Sequence, residues 1–212
     1  MSAEFMDIQP IPTIEIETVK ESKLSSIDFN DLPFGKTFSD HMLICEYYDG
    51  KWQTAKIQPY QNISLSPACN VFHYGQAIFE GMKAYKDDNN DIWLFRPDEN
   101  FKRFNHSATR MAMPEVPEEI FMEGLKELLK LDQEWIQKGN GSSMYIRPFM
   151  IATGAGVIAN PSDDYKFMIL LSPAKAYYSG GVKVIISEHY SRAANGGIGA
   201  AKAAGNYAAQ FY

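Results

Sequence analysis

The chain has 212 residues, 45% of them hydrophobic and 13% aromatic, with a formal net charge of -6 at pH 7. This is ordinary globular composition and enough chain for one full domain and part of a second. The negative charge disfavours broad binding to nucleic acid, which uses a concentrated basic surface. No apolar run approaches the ~18 residues of a membrane span. The first ten residues lack a basic start followed by an apolar core, so we predict no targeting peptide and a cytoplasmic location.

The cysteines and histidines predict neither a disulfide framework nor a metal site. Cys45 and Cys69 are too few and too far apart for such a framework, so both are expected to be buried as small hydrophobic residues. The histidines show no pair at the spacing that places two ligands on one helix face. They are His41, His73, His106 and His189.

The first third of the chain predicts an arm followed by a hairpin. Residues 1–35 mix prolines with acidic and serine residues, which indicates an extended arm with at most one short strand, at 13–18. Residues 41–48 are rich in strand-forming side chains and are followed by Asp49-Gly50 and a second such run at 51–57. An Asp-Gly pair between two runs of this kind is a strong hairpin signal.

A second hairpin and a short helix follow. The hairpin is predicted from residues 78–85 to 92–95, so that the strands together form an antiparallel sheet. Pro97 suits the first turn of a helix, and the stretch 100–111 continues without a breaker. This helix carries Arg103.

The clearest amphipathic helix is predicted at residues 118–138. Apolar residues recur there at helical spacing, glutamates occupy the first turn, and Gly139 follows the end. Two further strands are predicted at 144–153 and 165–171. These elements predict a small α+β domain over residues 36–172, with helices beside an antiparallel sheet.

The remaining residues predict the start of a second unit. Residues 173–181 indicate an interdomain linker, and 182–187 indicate a strand. The 31 residues from 182 to 212 are too few for a core of their own, because domains below ~40 residues rarely fold unaided. The last residues, from Gly205, begin a helix without a closing turn. We therefore expect residues 182–212 to be the incomplete beginning of a larger domain.

Lys202 lies in a run of glycines and alanines, from Gly196 to Gly205. This setting leaves a long amine with little bulk around it, so that a flat molecule can approach closely. A partly desolvated lysine of this kind suits a Schiff base with an aldehyde. The alternative is a flexible loop that carries one solubilising charge, and the short motif alone does not decide between them.

Two other side chains complete a possible site for a planar, anionic cofactor. Arg103 suits a phosphate, because a guanidinium binds it through a two-pronged fork. Tyr207 follows Lys202 at the spacing i+5 and could donate to a ring oxygen, although it could equally be a core tyrosine with a satisfied hydroxyl. The sequence alone does not bring Arg103 near Lys202.

Several motifs in the same order resemble the branched-chain amino acid aminotransferases, which are fold-type IV enzymes that depend on pyridoxal 5'-phosphate. Together these motifs are far more specific than any one of them. They are FGKTFSDHM at 34–42, HYG at 73–75, FEGMKAY at 79–85, LFRP at 94–97, NFKR at 100–103, SA at 107–108 followed by Arg110, YIRP at 145–148, and Lys202 with GNY at 205–207.

The resemblance implies a role for each matching residue. Lys202 would form the Schiff base with the cofactor and move the proton between the substrate Cα and the cofactor. Arg103 would hold the phosphate and Tyr207 the ring oxygen. The implied substrate pocket comprises Tyr74, Phe79, Tyr145 and Arg147, of which Arg147 would serve the anionic second substrate. Phe79 could instead be plain core, and Arg147 a structural ion-pair partner.

The implied activity is transamination of L-leucine, L-isoleucine and L-valine with 2-oxoglutarate, giving branched 2-oxo acids and L-glutamate. The resemblance also implies a homodimer and a larger, α/β-barrel-like second domain. In the family a carboxylate that pairs with the cofactor nitrogen lies beyond the counterpart of Tyr212, so we expect the 212-residue chain alone to be inactive. D-amino acid aminotransferase, aminodeoxychorismate lyase and a non-catalytic binding module remain alternatives.

Overall fold

The structure is a computed structural model that describes residues 13–139, 141–175 and 180–211. These residues form one mixed sheet and the helices that pack beside it. The strands are β1 (Glu15–Ile16), β2 (His41–Tyr48), β3 (Lys51–Trp52), β4 (Lys56–Pro59), β5 (Ala77–Phe79), β6 (Met82–Lys86), β7 (Ile92–Leu94), β8 (Ser143–Ala152) and β9 (Tyr165–Ala174). The α-helices are α1 (Asn70–Tyr74), α2 (Pro97–Arg110) and α3 (Gly124–Leu131). A π-helical turn at Glu119–Glu123 precedes α3, and 3-10 turns lie at Leu24–Ser26, Gln133–Trp135 and Ala204–Phe211.

The strand order across the sheet is β1-β4-β2-β9-β8-β6-β7, with β3 beside β2 and β5 beside β8. Neighbouring strands are antiparallel, as predicted, except that β1 runs parallel to β4. The long central strands β8 and β9 pair over their full length of ten residues. None of the helices in the described part of the chain is long and apolar enough to cross a membrane.

The first predicted hairpin is confirmed by its turn. Asp49 and Gly50 both have positive φ, 52° and 71°, while Tyr48 pairs directly with Lys51. Two consecutive positive φ angles define the tight turn whose twist matches two antiparallel strands, and Gly accepts this conformation without strain. The second arm of the hairpin is divided, because β3 ends at Trp52 and β4 begins at Lys56.

The second hairpin is confirmed for β6 and β7, but β5 is a separate strand. Phe79, the last residue of β5, pairs with Phe149 on β8, and the chain then leaves the ladder at Glu80 and Gly81. The helix predicted after Pro97 is confirmed as α2. The interruption between β5 and β6 matters because it places the Glu80 carboxylate beneath α2.

The helix predicted at 118–138 is seven residues too long. Regular helix ends at Leu131, because Asp132 makes contacts outside the helix. Its carboxylate accepts a hydrogen bond from the His41 backbone N–H at 3.1 Å and lies 2.6 Å from His41 Nδ1. The chain turns there, although Trp135 and Ile136 remain buried as their periodicity predicted.

Two expectations near the end of the chain are wrong. β9 continues to Ala174, so the predicted linker begins inside a strand at Pro173, and residues 176–179 of that linker lie outside the described residues. Residues 182–187 do not form a strand, and Ile185 is 96% exposed. β-branched residues favour a strand only when a neighbouring strand is available to pair and pack with it.

Both cysteines are buried and free, as predicted. The Cys45 Sγ donates to the Gln53 carbonyl at 3.2 Å, and the Cys69 Sγ donates to the Ala152 carbonyl at 3.1 Å. Burial raises the pKa of the Cys45 thiol to about 12. That thiol is therefore unreactive at neutral pH, because the thiolate is the reactive form.

The buried carboxylate of Asp40 connects the N-terminal arm to the body of the fold. It accepts hydrogen bonds from the Ser22 hydroxyl at 2.5 Å, the Trp135 indole N–H at 2.9 Å and the Lys23 backbone N–H at 3.2 Å. Burial alone would raise the pKa of Asp40, but these hydrogen bonds outweigh it and the pKa is lowered. A carboxyl group with a lowered pKa in the folded state stabilises the fold above its unfolded pKa of ~3.9 and loses that effect in more acidic solution.

The lowered pKa of Asp40 can be tested with the substitution Asp40→Asn. At neutral pH we expect the variant to have a smaller free energy of unfolding than the parent chain, by roughly 1–3 kcal/mol, because buried donors lose a charged acceptor. The difference should shrink as the pH falls below about 4, since the parent carboxyl is then neutral as well. Urea unfolding of both proteins over a pH series measures it. A difference that stays constant to pH ~2 would contradict the assignment.

Candidate active site

The Lys202 backbone is fixed on both sides by the body of the fold. Its N–H donates to the Ser107 hydroxyl on α2 at 2.9 Å, and its carbonyl accepts from the Phe79 N–H on β5 at 3.1 Å. Ala203 adds a bridge to Ile78 and is itself fully buried. The lysine segment is therefore attached to α2 and to β5 rather than forming a free loop.

The Lys202 side chain is half-buried between two aromatic rings. Its Nζ donates to the Tyr207 hydroxyl at 2.8 Å and lies 4.4 Å from the centre of the Phe79 ring. The Tyr207 ring lies 5.0 Å from the Phe79 ring. The 3-10 turn at Ala204–Phe211 returns Tyr207 toward the amine, so the predicted proximity of Lys202 and Tyr207 is observed.

Arg147 and Tyr145 approach the same place from β8. The Arg147 guanidinium lies 4.6 Å from the centre of the Phe79 ring and donates to the Tyr145 hydroxyl at 2.7 Å. Gly81 allows this arrangement, because a Cβ at that position would overlap the Tyr145 hydroxyl. The Arg147 Nε is buried and has no hydrogen-bond partner among the described residues. The Phe79 ring therefore contacts two cations, the Arg147 guanidinium on β8 and the Lys202 amine.

A cavity of about 420 Å³ lies beside these groups. Its wall is mainly apolar and comes from β5, β8, β9 and the turn after Lys202. The lining residues are Ala77, Ile78, Phe79, Arg147, Phe149, Ile151, Leu170, Ala204 and Tyr207. Phe79 thus lines a cavity and is not only a core residue. Within the described residues, Arg147 contacts the Tyr145 hydroxyl and the Phe79 ring and forms no ion pair. The wall suits an aliphatic side chain, with Arg147 as the charged group at one side.

Arg103 forms an ion pair that the sequence did not predict. Its Nε and Nη2 donate to the two oxygens of the Glu80 carboxylate, at 2.5 and 2.8 Å. Glu80 is the main reason that the pKa of Arg103 is raised, and the Tyr207 phenol contributes to the same shift. The Arg103 side chain is still 54% exposed, which leaves part of the guanidinium accessible.

Tyr74 is the predicted pocket residue that the fold does not bring into this group. It ends α1, is 44% exposed and contacts the His73 ring at 6.2 Å between ring centres. It is not among the residues that line the cavity beside Lys202. Phe79, Arg147 and Tyr207 line that cavity, Lys202 contacts Phe79 and Tyr207, and Tyr145 contacts Arg147. Arg103 lines a different cavity, on the surface beside α2.

Three residues near the site carry no predicted role from the sequence. Glu80 orients Arg103, Ser107 holds the Lys202 backbone, and the Arg192 guanidinium lies 5.8 Å from the centre of the Tyr207 ring. Glu80 and Ser107 fall inside motifs that support the family resemblance, but nothing in their spacing indicates their partners. In the described part of the chain, no group of three or more His, Cys, Asp or Glu side chains could hold a metal ion.

The arrangement suits a flat, anionic aldehyde. A primary amine and a phenol meet beside an apolar wall, and α2, which carries Arg103, also holds the lysine backbone through Ser107. An amine, a phenol and a guanidinium are the groups that would bind an aldehyde, a ring oxygen and a phosphate. A primary amine is also a group that can exchange a proton with a neighbouring carbon acid, and the hydrogen bond to Tyr207 holds this one in place.

Comparison with known proteins gives close relatives in sequence. No family model matches the chain. The chain is 48% identical over 202 residues to a probable branched-chain-amino-acid aminotransferase of Staphylococcus epidermidis, a match that covers 91% of the chain and 56% of that relative. The chain spans about half the length of the curated relatives it matches.

Solved structures agree with these relatives in fold. A branched-chain amino acid aminotransferase of Escherichia coli superposes with a TM-score of 0.57 at 24% identity, over 77% of the chain and 51% of that protein. The T.th. branched-chain amino acid aminotransferase with pyridoxamine 5'-phosphate has a TM-score of 0.51 at 25% identity, over 79% of the chain and 53% of that protein. The described residues therefore share their fold with part of these proteins.

Proposed function

We propose that this chain, which belongs to the branched-chain-amino-acid aminotransferase family, supplies the catalytic amine and part of the substrate pocket of a transaminase. The reaction would transfer nitrogen from L-leucine, L-isoleucine or L-valine to 2-oxoglutarate, giving branched 2-oxo acids and L-glutamate. The observation that carries the proposal is the Lys202 amine, hydrogen-bonded to Tyr207 and placed between Phe79 and a mainly apolar cavity.

The donor set supports pyridoxal 5'-phosphate as the cofactor of this fold-type IV protein. When bound, it supplies an aldehyde and an electron-withdrawing ring that weakens the Cα–H bond of an attached amino acid. Lys202 would bind the aldehyde, the accessible edge of Arg103 the phosphate, and Tyr207 the ring oxygen. Support comes from the nature of the three groups and from their attachment to the same elements, α2, β5 and the turn after Lys202.

The side chains have distinct tasks in the proposed reaction. The Lys202 Nζ takes the proton from the substrate Cα and later returns a proton to the neighbouring carbon, acting as general base and then general acid. Tyr207 holds this amine in place at 2.8 Å and the Phe79 ring excludes water from it. The apolar wall accepts a branched side chain, as expected for leucine, isoleucine or valine.

Arg147 would distinguish the two substrates of such a reaction. Its guanidinium is held by Tyr145 and the Phe79 ring, and its Nε is buried without a partner in the described residues. A carboxylate on the second substrate would satisfy this cation, because a buried donor that lacks an acceptor is costly. Tyr145 and Arg147 therefore belong to the proposed substrate pocket, and Tyr74 stays a proposed pocket residue without support from the fold.

The domain organisation, assembly and location are also proposals. Residues 1–35 would be an arm, the small domain would run from residue 36 to the end of β9 at Ala174, and 182–212 would be the beginning of a larger domain, with the linker between them. Because the chain spans about half the length of its relatives, we expect it to be inactive by itself. A homodimer would be tested by light scattering. Two buried free thiols agree with a cytoplasmic protein, because that compartment keeps thiols reduced.

Covalent trapping tests the proposed function on the chain as it stands. Pyridoxal 5'-phosphate is added, the bond between aldehyde and amine is made permanent with borohydride, and the modified lysine is located by peptide mapping. We expect modification at Lys202 above every other lysine, because its amine lies between the Phe79 and Tyr207 rings, which line the apolar cavity. Lys126, an exposed lysine on α3, is the internal comparison.

Modification spread evenly over exposed lysines would contradict the proposal. With a fully active protein, L-leucine, D-alanine and aminodeoxychorismate would then separate the branched-chain transaminase from the alternative activities of the same fold. Turnover of L-leucine is the expected result, since the relatives are named as branched-chain enzymes.

A further inference from the structure

The Glu80 carboxylate is completely buried, with 0% of its side chain exposed, and it is surrounded by donors. It accepts from Arg103 Nε at 2.5 Å and Arg103 Nη2 at 2.8 Å, from the Asn100 side-chain amide at 2.8 Å, and from the Gly81 N–H at 3.2 Å. A buried charge with several donors on it is fixed in position. Glu80 is therefore a rigid point against which Arg103 rests.

This contact determines which edge of the guanidinium stays accessible. The group is planar and its N–H bonds point in fixed directions, so that the Nε–Nη2 edge directed at Glu80 leaves Nη1 on the far side. Arg103 is 54% exposed although its partner is fully buried. An unattached arginine with that exposure would sample many rotamers, and Glu80 restricts it to one.

We propose that Glu80 is a positioning residue, which holds Arg103 so that the free edge of its guanidinium receives the phosphate of the cofactor. The proposal rests on the proposed function, because that function assigns the phosphate to Arg103. It explains why a carboxylate lies beside an anion site at all. By charge alone Glu80 opposes a phosphate, so its contribution has to come from orientation.

The same helix connects this anchor to the amine. The Ser107 hydroxyl donates to the Arg103 carbonyl at 2.9 Å and accepts from the Lys202 N–H at 2.9 Å. α2 therefore sets the position of both the guanidinium and the amine. Glu80, which follows β5, adds the orientation that the helix backbone does not supply.

The orientation of Arg103 and the charge of Glu80 predict opposite effects of Glu80→Gln on phosphate binding. Glu80→Gln removes a negative charge, which would strengthen phosphate binding if only charge mattered. It also places amide protons against the donors of Arg103 and Asn100, which breaks the two-pronged contact. We expect the dissociation constant for inorganic phosphate at Arg103 to rise by about tenfold or more, as when one charge-assisted hydrogen bond loses its alignment.

The experiment uses the full chain labelled with ¹⁵N-arginine. The Arg103 Nε–H signal is assigned by its loss in Arg103→Lys, and inorganic phosphate is titrated into the parent chain and the variants. Glu99→Gln is the matched control. It also removes a carboxylate beside Arg103, from the cavity that the two residues line together, but Glu99 bonds to Lys102 and not to Arg103. We expect unchanged or tighter phosphate binding in this control.

Glu80→Asp covers the case in which the amide variant fails to fold. It keeps the charge but shortens the side chain by one methylene, so that it cannot reach both Arg103 nitrogens. Weaker phosphate binding in Glu80→Asp or Glu80→Gln, with normal circular dichroism, supports the proposal. Equal or tighter binding in every Glu80 variant that folds overturns it, and so does a parent chain whose Arg103 signal does not change when phosphate is added.

Borohydride trapping of an aldehyde at Lys202 distinguishes a failure of this inference from a failure of the proposed function. Pyridoxal, which lacks the phosphate, should modify parent and Glu80→Gln chains alike, whereas pyridoxal 5'-phosphate should modify the variant less. If neither aldehyde modifies Lys202 while Glu80 still controls phosphate binding at Arg103, the proposed function fails and the positioning role stands. If Lys202 is modified and the Glu80 variants bind phosphate normally, only the positioning role fails.

Discussion

Lys202→Arg is expected to abolish nitrogen transfer, with a loss of at least about 10³-fold in rate. Arginine keeps the positive charge, but it is not deprotonated in a protein, so it can neither bind an aldehyde nor accept a proton from carbon. The assay is formation of glutamate from L-leucine and 2-oxoglutarate by this chain joined to the remaining half of a relative. That extension is needed because the chain spans about half the length of its relatives.

The control for this experiment is another lysine-to-arginine exchange. Lys126 lies on the surface of α3 and pairs with Glu123, so Lys126→Arg should leave the rate unchanged. Heat denaturation of both variants confirms that neither has lost the fold. Undiminished transfer in Lys202→Arg would exclude Lys202 as the amine that exchanges the proton.

Local signals in the sequence were sufficient for several elements of the fold. Asp49-Gly50 gave the first hairpin because the turn depends only on the φ angles of these two residues. Pro97 gave the beginning of α2, since proline is tolerated in the first turn and its ring favours helical φ. Such features depend on residues that are neighbours in the chain, so they can be predicted from a local sequence pattern.

Contacts between distant residues explain what the sequence did not predict. α3 ends at Leu131 because Asp132 binds His41, which is 91 residues away. Residues 182–187 have strand-forming side chains, yet a strand also requires a partner for its backbone, and none pairs with it in the described residues. Helical periodicity and β propensity contain no information on either contact.

The candidate site likewise contains one contact that local spacing predicts and others that depend on residues far apart in the chain. Lys202 and Tyr207 are five residues apart, and the 3-10 turn that begins at Ala204 brings them together as expected. The family resemblance assigned Phe79 and Arg147 to a pocket, but only the pairing of β5 with β8 explains how they come to share one. Arg103 was predicted as a phosphate ligand with a free fork, and the fold shows one edge of that fork filled by Glu80.

Phe121→Ala is expected to have the largest effect on stability, lowering the free energy of unfolding by about 3–5 kcal/mol. Phe121 is fully buried, and its ring lies 5.5 Å from the rings of both Phe104 and Phe167. These rings belong to the π-helical turn before α3, to α2 and to β9. The truncation therefore leaves a cavity where three elements meet, and such a loss is a large part of a typical total stability of about 5–15 kcal/mol.

This cluster also affects the candidate site, because α2 carries both Arg103 and Ser107. With Phe121 truncated, α2 loses packing against the sheet, and we expect pyridoxal 5'-phosphate to modify Lys202 less efficiently even at temperatures where the variant is folded. Phe72→Ala is the control, since Phe72 is 62% exposed and its loss should change stability by no more than about 0.5 kcal/mol. Urea unfolding measures both variants. A loss below about 1 kcal/mol in Phe121→Ala would mean that the aromatic cluster does not hold α2 on the sheet.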